Sequence, residues 1–240
     1  MNLRVSYLVP LIFLFCISTV MADNICPGGG NVSWADFVNL NSAYFGTFTS
    51  CHIGNLDFSG FAYADSSSNG VGTGPAANTI GVQLVTTPLD EGFSFSPIQL
   101  SASSNGTTME DADLSFTVTD TAGALINDLD ITFNGAGSGT GSADFSEKYC
   151  FGPSYTTCGS FAVANPVPPL DNYNVTAFSP VSSLQITKDF SVSSGTNGSA
   201  SISSGGNQFS QIPEPRAVAL VAFLLIGLVA TLRKRHIVRA

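Results

Sequence analysis

Between positions 23 and 212, chemistry rests on few residues: four cysteines, one histidine, three glutamates and two acidic clusters. Cys26, Cys51, Cys150 and Cys158 make an even set, and four cysteines allow three pairings. Proximity favours Cys26–Cys51 and Cys150–Cys158, because both loops close at small entropic cost. A metal site would need four soft ligands to converge, and no C-x-x-C pair is present. His52 is the sole histidine of the stretch, so a Ser-His-Asp triad would rest on it, directly beside Cys51. No G-x-S-x-G sequence surrounds a serine. Glycosidase chemistry needs two carboxylates across a cleft, and spacing does not say whether any two of Glu91, Glu110 and Glu147 meet. The expectation is a protein that is not an enzyme. The runner-up is a secreted polysaccharide hydrolase using an unrecognised carboxylate pair.

The acidic clusters are Glu110-Asp111-Ala112-Asp113 and Asp128-Leu129-Asp130. Carboxylates at alternate strand positions point to one side, and hard oxygen ligands suit Ca²⁺, which makes Asp111, Asp113, Asp128 and Asp130 the calcium candidates. No EF-hand loop or nonapeptide repeat accompanies them, so a solvated acidic rim is the preferred reading and no cofactor is expected. Trp34, Tyr149 and Tyr155 are candidate aromatic contacts for carbohydrate, or core residues.

Charge is unevenly placed. The chain of 240 residues carries a net −9, but from Asp23 to Ile212 two lysines, Lys148 and Lys188, face sixteen carboxylates, a net of −14. Such a body repels phosphate backbones, which excludes nucleic acid as a partner. The other cations flank apolar runs at the two ends.

At the first end, Arg4 precedes the apolar run Leu8 to Val20, and Val20-Met21-Ala22 offers small residues for cleavage between Ala22 and Asp23. Residues 1–22 therefore read as a signal peptide for the Sec translocon and signal peptidase. Bulky Phe13-Leu14-Phe15 before Cys16 excludes a lipobox. Export implies an oxidising compartment, where disulfides persist.

At the other end, QIPEPR leads into the apolar run 217–232 and then Arg233, Lys234, Arg235 and Arg239. Sixteen residues at about 1.5 Å each reach roughly 24 Å, and the flanking arginines can snorkel to complete a span. The basic cluster orients the acidic body outward. The order of Pro213-Glu214-Pro215, short hydrophobic helix and basic cluster resembles a PEP-CTERM sorting signal, over residues 213–240. That resemblance implies recognition by an exosortase, a membrane-embedded cysteine transpeptidase, with Pro213, Glu214 and Pro215 as the recognised element. It implies an inner-membrane-tethered precursor, then the cell surface or extracellular matrix of a Gram-negative-type bacterium, in company with exopolysaccharide. His236-Ile237-Val238 interrupts the basic run, a departure from the clean pattern. The stretch from Cys26 to Asp65, cysteine, short helix, cysteine and aromatic-rich strand, is similar to the N-terminal part of many PEP-CTERM sandwich proteins, a resemblance that implies a scaffold with no activity attached.

Between the ends, short period-two runs alternate with Gly, Asn, Asp and Pro: 55–65, 79–87, 92–103, 113–121, 128–135, 183–195 and 199–206. Leu114, Phe116 and Val118 share one face, as do Leu129, Ile131 and Phe133. A turn near Ala122-Gly123 predicts that these two runs form a hairpin. A second hairpin is expected around Thr196-Asn197-Gly198. One short helix is expected near VSWADFVNLN, capped by Ser33, with Trp34, Phe37 and Val38 on one side. The fold expected is an all-β antiparallel sandwich, jelly-roll-like or Ig-like, over 23–202, with a signal helix before it and a transmembrane helix after it. The Gly/Ser/Gln-rich residues 203–212 are expected to be a flexible linker.

Overall fold

The computed structural model describes residues 24–212 apart from 69–73, 106–107, 152–153 and 166–172. Residues 1–22, the PEP motif, the run 217–232 and the basic cluster lie outside the described residues. Among the described residues no helix is long and apolar enough to cross a membrane.

Among the described residues twelve strands form two antiparallel sheets. The first sheet runs in the order β1 (Ser50–Ile53), β2 (Leu56–Ser68), β6 (Met109–Asp120), β11 (Ser183–Ser193), β8 (Ser142–Phe151) and β9 (Thr157–Asn165). The second runs β10 (Tyr173–Val181), β7 (Ile126–Ser138), β12 (Ser199–Gln211), β4 (Asp90–Phe95) and β3 (Val82–Thr87). β5 (Leu100–Ser103) also pairs with β12, over the residues that β4 leaves unpaired. The inner faces carry the expected alternation: Leu114, Phe116 and Val118 from one sheet, Leu129, Ile131 and Phe133 from the other, all buried.

Two helices precede the sheets, α1 (Trp34–Val38) and α2 (Ser42–Phe45). Ser33 is the N-cap of α1 as expected, and the Asp36 carboxylate reaches back to accept from the Ser33 amide at 2.9 Å and hydroxyl at 2.8 Å. This pins Trp34 and Phe37 into the sandwich, where neither is exposed. Trp34 packs edge-on against Phe61, Phe93, Phe95 and Phe116. Its indole N–H donates to Ala62 O at 3.1 Å, beside the register shift of β2 between Ser59 and Ala62, where Gly60 takes φ +64°. Trp34 is thus a core residue, which removes it from the carbohydrate candidates.

Three expectations fail, for related reasons. β6 and β7 do not pair. Ala122-Gly123 lies in the connection between them, but β6 belongs to the first sheet and β7 to the second. The same holds for β11 and β12 around Thr196-Asn197-Gly198. Both connections are arches from one sheet to the other, and inward-facing alternation looks the same in an arch as in a hairpin. The third failure is the linker. Residues 203–211 continue β12, which pairs with β7 on one side and with β5 and then β4 on the other. Its glycines serve packing: a Cβ on Gly205 would strike the Phe190 ring, and one on Gly206 would strike Thr132 Oγ1. Phe209 between them and the strand end is fully buried. The sandwich therefore extends to Gln211, not to 202.

Candidate functional site

Both disulfides form as proximity favoured. Cys26–Cys51 ties the segment before α1 to β1, and Cys150–Cys158 joins facing residues of β8 and β9. Two disulfides mark an oxidising compartment, extracellular or periplasmic.

The residues considered for catalysis are dispersed. His52 stands opposite Asp57 across the β1–β2 ladder, and Ser50 hydrogen-bonds Asp57. Burial pushes Asp57 up, against the opposing pull of Ser50 and His52. The three glutamates sit on three strands, each with its own partner. Glu91 on β4 accepts from Gln211 Nε2 at 2.9 Å and from the Leu89 amide at 3.2 Å. Glu110 on β6 accepts from the Ser101 amide at 2.9 Å. Glu147 on β8 is buried against Lys188 and Asn207.

The calcium candidates divide. Asp111 and Asp113, on the outer face of β6, come together with Asp189 of β11, their ligand oxygens all within 4.8 Å of one another. Asp128 and Asp130 lie on β7 in the other sheet, away from this cluster by topology. Asp189 was invisible as a partner because it sits 76 to 78 positions away in sequence and only the β6–β11 register aligns Asp113 with it. Burial, then the charges of Asp111, Asp113 and Asp144, pushes Asp189 up to about 6. Burial raises Asp111 and Asp113 as well, with Asp113 adding to the first. Three hard oxygen donors in this arrangement can hold a divalent cation, and they equally suit a solvated acidic face.

The aromatic candidates also resolve. The Tyr155 hydroxyl lies 2.9 Å from Ser183 Oγ. Tyr149 joins Phe151, Phe161 and Phe178 in a half-buried cluster where β8 and β9 meet β10, with near-parallel rings at 5.5 Å for Tyr149–Phe178. Gly159 faces Tyr149 in the ladder, and a Cβ there would strike the phenol, so the ring lies across the edge strand.

The concavity that stands out on the surface was signalled by nothing in the sequence beyond its serines. It measures about 470 Å³ and lies over β5, β12 and β7. Antiparallel register builds its floor from two cross-strand rows, Ser101–Ser201–Ala136 and Ser103–Ser199–Ser138. These side chains point outward, while Ala102, Ala200 and Ile202 point inward and are buried. Ser138 Oγ and Ser199 Oγ are 2.9 Å apart, and Glu110 forms part of the wall. The site is a shallow sheet of hydroxyls with one carboxylate, of ordinary size for a small-ligand site.

No family model matches this chain, and no curated protein matches it. Among solved structures, TmCBM61 in complex with β-1,4-galactotriose aligns over 63% of this chain and 88% of its own, at 12% identity and a TM-score of 0.28. The enzymatically active domain of bacteriophage CBA120 tailspike protein 4 aligns over 63% of this chain and 19% of its own, at 14% identity and a TM-score of 0.29. Likeness at this level assigns neither a fold family nor a ligand.

Proposed function

We propose that this chain is an exported cell-surface or extracellular-matrix protein whose sandwich binds exopolysaccharide in the serine-lined concavity. The observation that carries binding is the pair of hydroxyl rows across β5, β12 and β7, with Glu110 beside them. A sugar presents hydroxyls that donate and accept, and a serine hydroxyl does both, so such a floor exchanges hydrogen bonds with a glycan without needing a charge of either sign. The net −14 of the body selects against anionic polymers and favours a neutral glycan. Repeated crossing of consecutive strands between sheets favours the jelly-roll-like reading of the sandwich.

Delivery rests on the order of Pro213-Glu214-Pro215, apolar run and basic cluster. An exosortase would act there, after Sec-dependent export and signal cleavage between Ala22 and Asp23. β12 ends at Gln211, so the motif begins within two residues of the folded body, and the enzyme would work close against the sandwich with no long tether between them.

Two measurements test this. Binding to neutral and acidic bacterial exopolysaccharides is compared between the parent and Ser201→Trp, which fills the centre of the concavity. The expected result is preference for the neutral polymer and at least a tenfold loss in the variant, about 1.4 kcal/mol, with the melting temperature held. Equal binding by both proteins would refute the site. Mass spectrometry of the mature C-terminus in the native host is expected to end near Pro213–Pro215, and recovery of Arg239 in the mature protein would refute the processing.

A further inference from the structure

The core of this sandwich contains a lysine, a glutamate and an asparagine in contact. Lys188 of β11 and Glu147 of β8 face each other in the first sheet and are 0% exposed at their side chains. Asn207 of β12 reaches across from the second sheet, 1% exposed. One carboxylate holds both nitrogens: Glu147 Oε2 pairs with Lys188 Nζ, and Glu147 Oε1 accepts from Asn207 Nδ2 at 3.1 Å. Asn207 Nδ2 also donates to Asp130 O at 3.1 Å, while Asn207 Oδ1 is buried with no partner among the described residues.

As a stabilising device this arrangement is poor. A buried ion pair recovers its desolvation cost only with good geometry and full hydrogen bonding, and an apolar trio of equal volume does as well or better. Phe116 and Phe145 lie 5.7 and 5.5 Å from Nζ, ring centre to nitrogen, and with neither side chain of the pair exposed, water is excluded from the site. Burial raises Glu147 and lowers Lys188 to about 8, with Glu147 opposing the shift, so the neutral amine is more accessible here than in water. An uncharged amine is a nucleophile, a neutral carboxylic acid is a proton donor, and a carboxamide is an acyl group with ammonia as its leaving group.

We propose that Lys188 and Asn207 join in a self-formed isopeptide bond across the two sheets, with Glu147 as the acid–base group. The Lys188 Nζ–Asn207 Cγ bond forms and the Asn207 Cγ–Nδ2 bond breaks. Glu147 takes the proton that Nζ loses and delivers one to the departing nitrogen, which leaves as ammonia. Glu147 ends in its starting state, and no oxidant or cofactor enters. The rings that exclude water from the amine also protect the product amide from hydrolysis. The bond would close a loop between residues 188 and 207 and tie the inner strands β11 and β12 covalently, a durable cross-sheet link for a protein that works outside the cell. It does not depend on where glycan binds.

The test is peptide mass analysis of the full chain after export, denaturation, disulfide reduction and trypsin digestion. A free Lys188 is cut, separating 149–188 from the peptide that begins at Asp189. The expected result is no cut there and one peptide that begins at Tyr149 and runs past Asn207 to the end of the mature chain, lighter than calculated by about 17 Da for lost ammonia. Glu147→Gln is expected to abolish that species, restoring the cut and the calculated mass. Cleavage after Lys188 with an intact Asn207 in the parent protein would overturn the proposal, whether or not any variant folds. A loss of about 18 Da, which is water from a Lys188–Glu147 amide, would overturn the assignment of Asn207.

Discussion

Opening the Cys26–Cys51 disulfide should cost more than opening Cys150–Cys158, and the difference follows from loop length. The bridges span 25 and 8 residues. In the chain-entropy treatment the closed loop removes about 11.7 cal/mol/K from the unfolded chain in the first case and about 8.3 in the second. At 25 °C these are about 3.5 and about 2.5 kcal/mol. For a chain of this size the first corresponds to a fall in melting temperature of about 7–14 °C. Burial reinforces the ranking, because Cys26 and Cys51 are 3% and 1% exposed whereas Cys158 is exposed at the edge strand. The assay is urea unfolding of the double-alanine variants C26A/C51A and C150A/C158A, extrapolated to water. The expected order is parent, then C150A/C158A, then C26A/C51A, the last two separated by about 1 kcal/mol or more. If removing the short bridge cost as much as removing the long one, restriction of the unfolded chain would not be what these disulfides contribute.

Other consequences concern β12 and the acidic face. Phe209→Ala should destabilise by about 3–5 kcal/mol in denaturant unfolding, since the ring is fully buried against Phe58 and Phe116; a neutral effect would return 203–212 to the status of linker. Gly205→Ala should cost about 1–3 kcal/mol in the same assay, because its Cβ meets the Phe190 ring, whereas in a flexible linker this change is neutral or slightly stabilising. Asp189→Asn should stabilise at pH 7 by on the order of 1 kcal/mol, discounted for a half-exposed group. With its folded-state value raised from 3.8 to about 6, Asp189 contributes stability at low pH that is lost as pH rises through that window. The gain in the variant should therefore vanish near pH 4, and a gain independent of pH would refute the electrostatic cause.

Local features of the chain were legible wherever one residue's neighbours in sequence decide its state. Ser33 and Asp36 are three positions apart and cap α1 on their own. The alternation of Leu114, Phe116 and Val118 specifies a strand with one buried face. Run 142–151 was harder to read as a strand because Glu147 occupies an inward position in an otherwise apolar series, Ala143 and Phe145 before it. That same exception is the residue on which the buried lysine and asparagine converge.

By itself, then, the sequence determined export-compatible chemistry, an even cysteine set, the strand-forming runs and a body with almost no cations. Only the tertiary structure decided which sheet each strand joins, since a side-chain period of two is identical in a hairpin and in an arch. It decided that Gly205 and Gly206 belong to an interior strand, because the aromatic ring and the threonine that exclude a Cβ there come from β11 and β7. It also decided that Asp189 meets Asp111 and Asp113, and that Lys188 points inward toward Glu147 and Asn207. Those encounters depend on cross-strand register between segments far apart in the chain, and register is set by the whole sandwich burying its faces at once.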